Sequence, residues 1–230
     1  MSKAVVFLTQ GTEEMEFTIT YDVLVRGGVN VTSVFVPESG KPAAPTNGLV
    51  VASRGVKLGA DTTLQALLQN GNADQFDAYI VPGGAGAVHT LSKDENVLKI
   101  LHDAHACGKV IGMICAGTLA ALGAQIGLKG PITSHPSVKD QLDALYEYKD
   151  SPVVVSDNFV TSRGPGTTFL FALTLVEKLV GCRSTYDSLS IGHLYIIFVI
   201  HLLVLFALRD MQSRYIQLAI CTDVAVTHEI

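Results

Sequence analysis

Short apolar runs and helical periods alternate along the first part of the chain. Ala4–Leu8, Val31–Val36, Ala78–Val81 and Val110–Ile114 are brief, mostly apolar and rich in β-branched residues. Strands buried on both faces read this way. Between them lie stretches with helical spacing: Glu14–Arg26, Thr63–Gln69, Asn96–His105, Thr118–Ala124 and Thr167–Leu179. In the last, Phe169, Leu170, Leu173, Val176 and Leu179 or Val180 recur at three- and four-residue steps and predict one apolar stripe. Strands alternating with helices predict an α/β fold with parallel pairing, right-handed crossovers and a sheet covered on both faces. Two hairpin signals interrupt the alternation. One is Asn47-Gly48 in the turn-rich stretch 37–48, and the other is Ser156-Asp157-Asn158, between Val153–Val155 and Phe159–Thr161.

After Cys182 the character changes. Ser188 to Leu208 carries no charged residue, with histidine taken as neutral. A run of about 20 such residues is long enough to cross a bilayer. Three readings stand side by side: a membrane anchor, a buried extra helix, or an aberrant extension that packs against nothing. The chain is therefore divided into a domain over 1–182 and a divergent tail over 183–230.

Composition adds boundaries to this picture. The chain is 48% apolar, enough for a large core, and 16% charged, below the roughly 25% usual for soluble domains. Its net charge of −5 argues against a nucleic-acid partner, which calls for a basic face. Cys107, Cys115, Cys182 and Cys221 form no C-x-x-C pair, so zinc and thioredoxin-like readings lack support, and no metal or cofactor is expected. Met-Ser-Lys runs straight into the first apolar run, without a secretory or transit pattern. A reducing compartment is expected, the cytoplasm first and the nucleus or mitochondrion as alternatives.

The chemistry-bearing residues sit where strands end. The run Val110–Ile114 closes on Cys115, followed by Ala116 and Gly117, and a helix-forming run begins near Thr118. A reactive side chain on a tight turn at the carboxyl end of a strand is the logic of a nucleophile elbow. A helix start there would lower the thiol pKa. The plainer reading is a buried core cysteine. A second strand ends in Pro82-Gly83-Gly84, and the N–H groups of Gly84 and Ala116 would then hold an oxyanion. A phosphate loop is the rival, but no G-x-G-x-x-G is present. After the first strand come Glu13, Glu14 and Glu16. Helix-start electrostatics explain the first two, whereas Glu16 sits deeper, among Met15, Phe17 and Ile19, where a carboxyl pKa rises and a proton can be shuttled. His135, before Pro136, is either a catalytic partner or a surface residue. His102 and His105 read as solvent-facing, and Thr161–Thr167 as a pocket wall.

Together, Gly11–Glu16, Pro82–Gly84, Ile114–Gly117, His135-Pro136 and Thr161–Thr167 resemble the ThiJ/PfpI superfamily over roughly residues 3 to 180. The nearest branch is that of the Parkinson-associated protein deglycase and the fungal glutathione-independent glyoxalases. The resemblance implies a flavodoxin-like three-layer sandwich, as in class I glutamine amidotransferases, and a homodimer. It makes Cys115 the nucleophile, Glu16 its carboxyl neighbour and His135 the nearby imidazole. It makes Gly84 and Ala116 the oxyanion donors, and lines the substrate pocket with Gly83, Arg54 and Pro165, Arg54 reaching in from the dimer partner. Where amidotransferase relatives carry a glutamate two residues after the histidine, this chain has Ser137, so a glutaminase triad is not expected. The implied activity is conversion of methylglyoxal to D-lactate, with protein or nucleotide deglycation by the same attack. The alternatives are an oxidative-stress sensor or chaperone acting through Cys115 oxidation and, last, a cysteine peptidase. The expected partner is a small reactive carbonyl compound, with a membrane only through 188–208.

Overall fold

The computed structural model describes residues 1–42 and 45–189, and Met1–Thr185 form one compact unit. The strands are β1 (Lys3–Leu8), β2 (Asn30–Phe35), β3 (Leu49–Val51), β4 (Lys57–Gly59), β5 (Thr62–Thr63) and β6 (Ala78–Val81). They continue with β7 (Val110–Ile114), β8 (Pro131–Ile132), β9 (Glu147–Tyr148), β10 (Val153–Ser156) and β11 (Phe159–Ser162). The helices are α1 (Glu14–Arg26), α2 (Leu64–Gln69), α3 (Ala87–Leu91), α4 (Glu95–Ala106), α5 (Ala120–Ala124), α6 (Lys139–Leu142) and α7 (Thr168–Leu189).

Seven strands form one sheet in the order β10-β11-β7-β6-β1-β2-β5. Only β10 runs antiparallel, paired with β11 through Val153 opposite Ser162. This is the expected mostly parallel α/β sandwich. The four apolar runs are its central strands, and residues 4–8 of β1 and all of β6 are buried. From β1 the chain builds outward through β2 to β5, then returns to lay β6, β7 and β11 on the other side. The order therefore reverses between β1 and β6, and the crevice at their carboxyl ends is where such sheets bind ligands.

Helices cover both faces. On one, α1 and α7 approach through glycine: a Cβ at Gly27 would lie 2.7 Å from Val176, and one at Gly112 of β7 would lie 3.0 Å from Leu175. On the other, α4 lies against β6 and β7 with α5 beside it. Asp94 caps α4 by accepting from the Asn96 and Val97 N–H groups. Such a cap is worth about 1 kcal/mol.

Three expectations shift. The buried stripe of α7 is Thr168, Phe171, Ala172, Leu175 and Val176, while Phe169 is 38% exposed. Of the expected stripe only Val176 is buried. The helix is apolar almost all round, so several stripes fit the period. The small Ala172 and the glycines of the facing elements allow the closest approach. The Asn47-Gly48 signal gives a left-handed turn (φ 57 and 72) that leads into β3. The hairpin itself turns later, where the Ala52 N–H donates to the Val56 carbonyl and Gly55 has φ 95. His105 is half-buried against Phe159 rather than solvent-facing. His102 is exposed, with Nδ1 2.9 Å from the Ala124 carbonyl.

The second hairpin forms as expected, with Asp157 left-handed at φ 53. Of the apolar segment 188–208, all but the first two residues lie outside the described residues, as does 209–230. Among the described residues no helix is long and apolar enough to cross a membrane.

Candidate active site

Three strand ends meet at the crevice. β1 leads into α1, which carries Glu13, Glu14 and Glu16; β6 ends in Pro82-Gly83-Gly84; and β7 ends in Cys115. The expected elbow is present: Cys115 has φ 62, a left-handed conformation that costs a residue with a Cβ roughly 1–2 kcal/mol. A five-residue 3-10 turn, Cys115–Leu119, follows at once and precedes α5. The side chain is thereby raised off the strand and faces α1 and the glycine turn. It is only 9% exposed.

Glu16 is fully buried. Its Oε2 accepts the Gly83 N–H at 2.7 Å, and its Oε1 has no N–H or O–H partner among the described residues. Its neighbour is the Cys115 thiol, close enough for each group to shift the titration of the other. A Cβ placed on Gly164 would lie 3.9 Å from both the sulfur and Oε1, so both atoms face the same point. The glycine turn is required to be glycine. A Cβ at Gly83 would fall 2.7 Å from Cβ of Cys115 and 2.8 Å from Oε2 of Glu16. Gly84 has φ 109, and its Cβ would strike the Gly11 carbonyl at 2.2 Å. The bond from the Glu13 N–H to the Gly83 carbonyl, 3.0 Å, fastens this turn to the start of α1.

Burial pushes the Glu16 carboxyl up to about 7, against the pull of the Gly83 N–H and the thiol. Burial also pushes the Cys115 thiol up to about 12, helped by the Glu16 charge beside it. The N–H groups of Ala116 and Gly84 oppose this by pointing at the sulfur. The expected lowering of the thiol pKa is thus outweighed. The 3-10 turn and α5 are five residues each, too short for a strong dipole, and the sulfur is buried beside a carboxylate. The two groups act as one unit: near neutral pH they hold between one and two protons, and the carboxyl is the first to release one.

His135 lies beside this pair. Its N–H donates to the Cys115 carbonyl at 3.3 Å, and its Cδ2 is 3.7 Å from a Cβ placed on Gly164. Nδ1 accepts the Ser137 N–H at 3.2 Å and lies 2.8 Å from Ser137 Oγ. In the neutral ring the proton is then on Nε2. Where a triad would need a carboxylate, the chain has a hydroxyl.

A cavity of about 610 Å³ opens over Cys115 and is walled by Gly84, Ala116, His135, Arg54 and Pro165 among others. The structure thus brings Cys115, Gly84, Ala116, His135, Arg54 and Pro165 to one cavity, while Glu16 and Gly83 are buried next to Cys115 and Gly83 does not line the pocket as expected. Arg54 reaches this cavity from its own chain, on the β3–β4 turn. That turn is held by Glu14, whose carboxylate accepts the Ser53 hydroxyl and the Arg54 N–H, both at 2.7 Å.

Sequence reasoning missed this clasp, because Glu14 at a helix start has a sufficient local explanation. It also missed His89, Ser92, Lys93, Ser137 and Gln141, which line the cavity. The first three have a readable signal: α3 begins just after the glycine turn, so its end and the loop after it overlook the crevice.

Comparison with known proteins bears on the family and the fold. Residues 2–178 match the DJ-1/PfpI family. Protein DJ-1alpha of Drosophila melanogaster is 41% identical over 181 residues, covering 78% of this chain and 78% of that protein. The glutathione-independent glyoxalase DJ-1 of Schizosaccharomyces pombe is 37% identical over 196 residues, 83% of this chain and 99% of that protein. The solved structure of Schizosaccharomyces pombe DJ-1 matches with a TM-score of 0.73 at 34% identity, covering 83% of this chain and 98% of that one. By the span matched, the relatives found and the fold shared, this chain belongs to the DJ-1/PfpI family.

Proposed function

We propose that this chain is a glutathione-independent glyoxalase that converts methylglyoxal to D-lactate through Cys115 and Glu16. The observation that carries the reading is the buried contact between a thiol and a carboxyl whose pKa is raised to about 7, at the floor of a cavity. Methylglyoxal needs a nucleophile for its aldehyde and one group able to take and return a proton between adjacent carbons. Glu16 receives the thiol proton as sulfur adds to the aldehyde carbon, and the resulting oxyanion lies at the Gly84 and Ala116 N–H groups before that proton is passed to it. Glu16, again ionised, removes the hydrogen from the former aldehyde carbon. It returns that hydrogen to the neighbouring carbon, and the enediol becomes a lactoyl thioester. Water cleaves the thioester and restores the thiol, so methylglyoxal and one water become lactic acid. His135 is suited to orient that water through Nε2. The Schizosaccharomyces pombe relative carries the name of this activity.

Deglycation would use the same sulfur and carboxyl on a larger adduct. Homodimerisation is part of the proposal: Met15, Leu49, Val51 and Val56 are 41–49% exposed, on α1 and on the hairpin that Glu14 ties to it.

The test is lactate formation from methylglyoxal without glutathione by the full chain. Wild type should turn over, while Cys115→Ser and Glu16→Gln should each lose at least about 100-fold in kcat. A purely redox role predicts otherwise: no lactate from wild type, with Cys115 gaining two oxygens under mild peroxide in the Gln variant as well.

A further inference from the structure

We propose that the cavity selects carbonyl compounds bearing an anionic group several bonds from the reacting aldehyde, with Lys93 and Arg54 as the recognising cations. The inference deepens the glyoxalase reading and rests on it for the reaction, though not for the recognition.

Size is the first observation. About 610 Å³ lies within the roughly 300–1,000 Å³ range of pockets that hold drug-sized ligands. A three-carbon substrate would leave most of it to water. A second cavity, about 680 Å³, adjoins the first and shares His89 and Lys93 with it. Lys93 thus stands where the two meet, and a longer substrate has room to extend toward it.

Charge is the second observation. Lys93 and Arg54 are the lysine and arginine of the cavity wall, and Glu13 is the one carboxylate there among the described residues. The Glu13 Oε2 accepts the Glu16 N–H at 2.8 Å as the cap of α1, which fixes its position without cancelling its charge, so the wall sets two cations against one carboxylate. Among the described residues the Arg54 guanidinium bonds only the carbonyl of its neighbour Ser53, at 3.3 Å. Neither Arg54 nor Lys93 joins any ion pair among the described residues. Two uncommitted cations over one reactive sulfur form a field that raises the local concentration of anions. The second cavity is acidic beyond Lys93, through Glu38, Asp94 and Glu95. The anion is therefore held at the junction and does not pass into the further space.

A substrate of this class is a 2-oxoaldehyde with a carboxylate at its far end. The reaction balances as before: 4,5-dioxopentanoate and one water give 2-hydroxyglutarate. The aldehyde carbon is oxidised, its neighbour is reduced, and no outside oxidant is used.

The full chain is assayed with 4,5-dioxopentanoate and with methylglyoxal, and the ratio of their kcat/KM values is read within each protein so that general losses cancel. The expected ratio favours the carboxylate at least about tenfold at low salt and falls in 0.5 M salt by screening. It also falls about fivefold or more in Lys93→Gln and in Arg54→Gln. A second measurement is independent of turnover. Cys115 is alkylated by iodoacetate and by iodoacetamide, and peptide mass mapping gives the rate ratio of anionic to neutral reagent. That ratio should exceed the ratio for the same cysteine in the urea-unfolded chain by at least about fivefold, and should collapse in Lys93→Gln.

A native ratio no higher than the unfolded one overturns the proposal, whether or not methylglyoxal is turned over. So does a preference that survives both substitutions. A raised alkylation ratio without turnover of either oxoaldehyde upholds the anion site and removes the glyoxalase reading instead.

Discussion

Replacing Glu16 with glutamine should make Cys115 more reactive toward alkylation while abolishing turnover. The sulfur is pushed up to about 12, with burial as the larger cause and the Glu16 charge second. At pH 8 only about one thiol in 10,000 is then ionised, four pKa units below half. Glutamine is nearly isosteric. Its oxygen can accept the Gly83 N–H as Oε2 does now, and its amide can donate to the sulfur. Burial remains, but the like charge and the competing acceptor are gone. A charge in contact shifts a neighbour by roughly 1–3 units, so the thiolate fraction should rise about 10- to 1,000-fold. A less basic thiolate is also less nucleophilic, with a Brønsted slope of about 0.4–0.5. The net gain in alkylation rate is then roughly 3- to 30-fold. The assay is iodoacetamide labelling at pH 8, followed at the Cys115 peptide so that exposed Cys107 does not intrude. Wild type carries its own control: below pH 7 Glu16 is itself protonated, and the two proteins should converge. A variant that labels more slowly than wild type at pH 8 would refute the reasoning. It would mean that the carboxyl proton is what sustains the thiolate, with Glu16 a donor to sulfur and not its repelling neighbour.

Stability should carry the same signature. Glu16 has a folded pKa of about 7 against an ordinary 4.5, so the folded state holds the proton more tightly. The stability this gives is complete below 4.5 and is lost as pH rises through 7, by about 3 kcal/mol in all. Urea melts should therefore show Glu16→Gln gaining on wild type between pH 4.5 and 7, with a flat difference above. Gly83→Ala, with its Cβ 2.7 Å from Cβ of Cys115, should destabilise the fold by about 1–3 kcal/mol and abolish Cys115 labelling, read by thermal melt and mass mapping. Glu14→Gln keeps one acceptor for the two bonds Glu14 now makes to the Ser53 hydroxyl and the Arg54 N–H. It should speed amide exchange across residues 52–56 with little change in global stability.

How much could be read in advance follows from how local each cause is. The central strands were legible because burial on both faces leaves an unbroken apolar run with no polar alternative. Cys115, Glu16 and the glycine turn were legible because each sits at a strand end, and parallel strands bring their carboxyl ends to one edge. β5, β8 and β9 are two residues each, too short to show any period, and the stretch between Gln125 and Pro152 therefore gave no elements. The phase of α7 was lost because apolar residues occupy most of its circumference, and the choice among stripes is made by Gly27 and Gly112, which are distant in sequence. The raised thiol pKa was missed for the same kind of reason. The adjacent amides are visible at Ala116, while the larger opposing cause is burial, imposed by elements from across the chain, with the Glu16 charge second.

The left-handed backbone at Cys115 has an evolutionary corollary. Glycine would occupy that position without steric penalty, so selection for stability alone pushes the site away from cysteine. A lineage that gave up the chemistry would be expected to drift there toward glycine or asparagine and to melt at a higher temperature. The residue at this one position would then report, across descendants of the fold, whether the reaction is still in use.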